Sequence, residues 1–150
     1  MKKVFGLFLV IMVFTLFSCS EIEDAVFKDV KGVFKGISKD YLTITIDISK
    51  QDKDKLEGTV KFEVNKDKIP EGDTLIKYLP DKDSSFTGEI ALSHVLLTTT
   101  EYKVTVDSSE IPIKIVFNLD RSEDGKKLTG NMTFSGVSEL GEVPIDVTKQ

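Results

Sequence analysis

From residue 32 onward apolar and polar residues alternate with a period of two. Leu42, Ile44, Ile46 and Ile48 alternate with Thr43, Thr45 and Asp47, and Leu56, Gly58, Val60, Phe62 and Val64 alternate with Glu57, Thr59, Lys61 and Glu63. Rows at 102–106, 111–119, 128–134 and 143–147 follow the same rule. Successive side chains of a strand point to opposite faces, so such alternation predicts strands with one buried and one wet face, the habit of antiparallel sheets. Polar stretches at 49–55, 120–127 and 136–141 read as turns, and Asp124-Gly125 is a tight-turn pair. The resulting strands are 32–38, 41–49, 56–64, 86–97, 101–107, 111–120, 128–137 and 143–148. Residues 74–79, between Pro70 and Pro80, are either a ninth strand or one helical turn. An all-β antiparallel meander of about eight strands closes naturally into a small up-and-down barrel. A β-sandwich is the alternative, because eight short strands serve both.

One local pattern repeats. Lys55-Leu56-Glu57-Gly58-Thr59-Val60-Lys61-Phe62 and Lys127-Leu128-Thr129-Gly130-Asn131-Met132-Thr133-Phe134 share the form Lys-Leu-x-Gly-x-apolar-x-Phe, and Phe86-Thr87-Gly88-Glu89-Ile90-Ala91-Leu92 is a looser third copy. Each copy places glycine on the apolar face. Glycine inside a strand marks sharp bending or close packing, which suits a tightly coiled sheet. Leu56, Gly58, Phe62, Phe86, Phe117, Gly130 and Phe134 are the expected lining of the interior, as core or as the wall of a cavity.

Before residue 32 the pattern differs. Lys2 and Lys3 precede an almost wholly apolar run from Val4 to Phe17. That run is shorter than the roughly 20 residues a membrane helix needs and has the length of a signal-peptide core. Leu16-Phe17-Ser18-Cys19 follows and resembles the lipobox of bacterial lipoproteins, with Leu at −3, a small residue at −1 and Cys at +1. Phe17 is bulkier than the usual residue, and Ser18 stands where Gly or Ala is commoner. The resemblance implies removal of residues 1–18 by the lipoprotein signal peptidase, diacylglycerol on the Cys19 sulfur, and a further acyl chain such as palmitate on the new amine. Ser20, in place of Asp, then favours the outer membrane in a cell that has one. An ordinary secretory leader is the alternative. Residues 19–31 form a tether; Ser20 and Glu23 have capping-box spacing, and Ile22, Ala25, Val26 and Val30 share one face, predicting a short helix over 21–30 ended by Gly32.

Composition narrows the function. The formal net charge is −5, and without Lys2 and Lys3 the balance is 18 basic against 25 acidic side chains. All basic residues but Arg121 are Lys. An acidic chain with one Arg lacks the clustered cations that nucleic acid requires. Cys19 is the only cysteine, so no internal disulfide staples the domain. No nucleophile–base set, zinc-ligand cluster or phosphate loop is present. His94 is the lone imidazole and reads as a surface or structural residue. The acidic turns Asp52-Lys53-Asp54, Asp81-Lys82-Asp83 and Asp120–Asp124 follow no calcium-loop pattern. No cofactor or metal is expected, and no enzymatic activity.

The short helix followed by Gly32-Val33-Phe34 resembles the opening Gly-x-Trp strand of lipocalin-like barrels, with Phe34 in place of Trp; that family's later Arg has no counterpart, since Arg121 lies in the turn after Leu119. The resemblance implies a barrel with an apolar ligand cavity. Two readings of the barrel, at residues 32–150, therefore stand: a binding domain for a small apolar ligand or an envelope partner, and a structural or interaction domain with a filled core.

Overall fold

The computed structural model describes residues 27–150. The leader, Leu16 to Ser20 and most of the helix predicted over 21–30 lie outside these residues. The last part of that helix, from residue 27, is a bend and irregular chain.

Ten strands follow: β1 (Gly32–Ser38), β2 (Leu42–Asp52), β3 (Lys55–Val64), β4 (Ser84–Ala91), β5 (His94–Thr99), β6 (Tyr102–Val106), β7 (Ser109–Ile113), β8 (Ile115–Arg121), β9 (Lys127–Phe134) and β10 (Val143–Lys149). Eight of them form a closed antiparallel barrel in the order β1-β10-β9-β8-β5-β4-β3-β2. Because β1 pairs with both β2 and β10, the sheet has no edge and is not a sandwich. The seam between β1 and β10 is the shortest ladder, and Ser38 reinforces it by donating its hydroxyl to the Pro144 carbonyl at 2.7 Å.

The count of eight holds, but the membership differs from the alternation. The single strand expected at 86–97 is a hairpin, β4 and β5, turning at Leu92-Ser93. The row at 111–120 is two strands, β7 and β8, broken at Lys114. The strand expected at 101–107 is β6, which leaves the barrel wall and pairs only with β7. Residues 75–78 are a 3-10 turn and not a ninth strand. β9 stops at Phe134, short of the expected 137, and β2 runs three residues past 49, with a register shift between Ile48 and Lys50.

The inward rows fill the barrel. Phe34, Ile46, Val60, Val95, Leu97, Ile115, Phe117, Leu119, Leu128 and Met132 have no exposed surface. Each such side chain contributes roughly 1.5–3 kcal/mol by leaving water, which suffices without a disulfide. The glycine repeat has a clear structural role. A Cβ at Gly58 would collide with the Asp47 carbonyl oxygen and lie 2.6 Å from Phe86 Cζ; one at Gly130 would collide with the Asn118 carbonyl oxygen and lie 3.0 Å from Leu119 Cα. Neighbouring strands approach so closely there that only glycine fits.

Candidate functional site

In an antiparallel meander alternate connections lie at opposite ends. One end carries tight turns, 53–54, 92–93 and 122–126, beside residues 27–31. The other carries the short turn 39–41 and the long connections 65–83, 100–114 and 135–142. Polar chemistry gathers at the long-connection end, where three tyrosines tie its loops together.

Tyr41, after β1, is 2% exposed and donates its hydroxyl to Asp73 Oδ2 at 2.6 Å. The Leu75 N–H donates to Asp73 Oδ1 at 2.8 Å, and Lys39 Nζ lies 3.5 Å from Asp73 Oδ2. Burial pushes the Asp73 carboxyl up, but the bonds from Tyr41 and Leu75 and the Lys39 charge together hold it below the usual carboxylate range. Burial, then the facing Asp73, raise the Tyr41 phenol. Tyr78 donates to Glu139 Oε1 at 2.8 Å, joining the 65–83 connection to the 135–142 connection, and that bond raises its phenol. Tyr102 donates to the Tyr78 carbonyl at 2.6 Å, and burial raises its phenol. The 65–83 connection is thus the hub of a cap that holds all three phenols neutral. The alternation placed Tyr102 in an apolar row but marked none of these ties, because the partners lie 24 to 61 positions away along the chain.

The hairpin of β6 and β7 is inserted between β5 and β8. The Ile115 N–H donates to Thr99 Oγ1 at 2.9 Å and closes the barrel wall across its base. Its turn, Asp107-Ser108, has φ values of 49° and 69°, the geometry of a two-residue mirror-image turn. Val106 and Ser109, which flank the turn, are then a hydrogen-bonded pair. Such pairs alternate along an antiparallel ladder, so Val104–Ile111 and Tyr102–Ile113 are also bonded, and the backbone groups of Lys103 and Thr105 point away from β7. Pro112 fits this register, since it stands opposite Lys103 and has no N–H to donate. It also blunts the free edge of β7.

The free edge of β6 has no such guard. It faces an open groove of about 740 Å3. One wall is Tyr102 to Thr105; the other is Ile76, Leu79, Pro80 and the acidic turn Asp81-Lys82-Asp83, running into Ser84 and Ser85. At the groove's inner end the Thr100 N–H donates to the Ser85 carbonyl at 2.8 Å. There the ladder between β4 and β5 ends. Lys103 is neutralised by Glu110 across the hairpin at 3.0 Å. Among the described residues the outward N–H and C=O groups of Lys103 and Thr105 have no protein partner.

The residues expected to line the interior all point inward. Leu56, Phe86, Phe117 and Phe134 are buried core, and the half-buried Phe62 stacks on Phe117 with centroids 6.4 Å apart and rings 14° from parallel. They pack against one another and against the cap. Phe34 is fully buried, with Lys149 Nζ 5.9 Å from its ring centroid. His94 is exposed on β5, its Nδ1 3.3 Å from Asp120 Oδ1 on β8. Among the described residues no group of three or more His, Cys, Asp or Glu side chains is placed to hold a metal. Cys19 and the residues around it lie outside the described chain.

No protein-family model, curated protein or solved structure matches the chain.

Proposed function

We propose that this chain is a lipid-anchored envelope protein, held by Cys19, whose barrel is a filled scaffold carrying a docking edge for an extended segment of an envelope partner. The observation that carries the binding half is the open edge of β6 beside the groove. An extended backbone placed there would continue the ladder where β4 leaves it, through the N–H and C=O groups of Lys103 and Thr105, the mode known as strand addition. The interior offers a weaker case for a small apolar ligand, because its inward side chains form one buried cluster in which Phe62 stacks on Phe117. The leader and Leu16-Phe17-Ser18-Cys19 support the anchoring half, and Ser20 favours the outer membrane.

The anchor is tested by Cys19→Ser, read by metabolic acyl labelling and detergent partitioning. Both signals should disappear; retained labelling refutes the lipoprotein reading. The docking edge is tested by Thr105→Pro, which removes one outward N–H without touching a bond to β7. Extended peptides selected by display on the wild-type protein should bind this variant about tenfold more weakly, the scale of one or two lost hydrogen bonds. Thr105→Val keeps the N–H and should bind as wild type does. Equal binding by all three proteins rules out pairing along β6.

A further inference from the structure

The turn between β4 and β5 holds an anomaly. Leu92 has a φ of 56° and is 64% exposed. The left-handed region belongs to Gly, Asn and Asp in such turns, and a bulky apolar residue there is an outlier. Leu92 is mostly exposed and strains its backbone, so burial does not account for it.

Its position supplies a reason. The Arg121 N–H donates to the Ser93 carbonyl at 2.7 Å, and the Arg121 Nε donates to the Asp29 carbonyl at 3.1 Å. The single arginine therefore binds the Leu92-Ser93 turn to the segment that leads back toward Cys19. Gln51 fastens the same segment, accepting from the Val30 N–H at 2.9 Å and donating to the Lys28 carbonyl at 3.2 Å. From Cys19 to Phe27 are eight peptide steps, which span at most about 29 Å however they are arranged. A lipidated Cys19 keeps the tight-turn end close to the bilayer.

We infer that the tight-turn end lies against the lipid surface, with Leu92 as its apolar contact, so that the β6 edge faces away from the membrane. This rests on the anchoring of Cys19. It assigns the strained leucine a role that neither the core nor the docking edge supplies.

The test uses the full lipidated protein in phosphatidylcholine–phosphatidylglycerol vesicles. Cys19 is the only cysteine and its sulfur carries lipid, so Leu92→Cys supplies a single reactive thiol. Ile37→Cys is the matched control: Ile37 is 66% exposed, equally apolar, and close to the long-connection end of β1. Each is labelled with a polarity-sensitive fluorophore and probed with lipid-borne nitroxide quenchers. The label at 92 should shift to the blue and be quenched at least threefold more than the label at 37. If the protein floats with the vesicles and the two labels are equally aqueous, the inference is overturned while the anchor stands. If the protein does not float, the anchor itself fails and this orientation falls with it.

Discussion

Gly130→Val is expected to lower the denaturation midpoint sharply. A Cβ at this position would collide with the Asn118 carbonyl oxygen of β8 and lie 3.0 Å from Leu119 Cα, and the backbone φ of 157° is one that side-chain-bearing residues rarely adopt. The obstacle is backbone in a closed barrel, so no rotamer change relieves it. Over-packing a core costs roughly 1–3 kcal/mol, and a disfavoured backbone conformation adds a term of order 1–3 kcal/mol. Against an ordinary stability of about 5–15 kcal/mol, the loss is readily seen in urea or thermal denaturation followed by circular dichroism. Thr129→Val is the control. Thr129 is exposed on the opposite face of the same strand, and surface changes usually stay within about ±0.5 kcal/mol. Strand propensity alone favours valine at both positions and so predicts stabilisation for Gly130→Val. A stabilised variant would show that the close approach of β8 and β9 does not depend on this glycine.

The glycine reading was available from the sequence because the repeat holds the residue in phase with an apolar row, and phase is what a strand pattern records. Phase also marks one of the two misjudged strands. Phe86 and Ile90 are even-numbered, whereas Val95 and Leu97 are odd, and this change of parity is the trace of the Leu92-Ser93 turn. No such trace exists at Lys114. Ile111, Ile113, Ile115, Phe117 and Leu119 keep one parity straight through the break, so β7 and β8 read as one strand. Only the tertiary structure separates them, by bonding Ile115 to Thr99 and lifting the hairpin off the wall. The tyrosine ties and the β6 groove were beyond a pattern argument for a related reason. Both are made by residues brought together from distant connections, and neither repeats along the chain. The anchoring motif is the reverse case: it is read from local sequence alone, and its residues lie outside the described structure.

Phe117→Ala is the companion test, aimed at the interior. Phe117 is fully buried on β8, pairs across the wall with Leu97 and Met132, and stacks on Phe62. Truncating a phenylalanine in a filled core typically costs about 3–5 kcal/mol, the lost transfer energy plus the cavity left behind. That loss is expected here, measured by urea denaturation. The new void would be apolar and roughly benzene-sized, so the variant should also gain affinity for a small aromatic probe, as dry engineered cavities do. The wild-type protein should bind no such probe inside the barrel. These two readouts separate the competing views of the domain. A barrel with its own ligand cavity would let neighbours or solvent adjust, so truncation would cost well under about 2 kcal/mol and the wild type would already bind the probe. That result would move the binding function from the β6 edge to the interior. A large loss, with probe binding created only by the truncation, leaves the interior as scaffold and the long-connection end as the working surface.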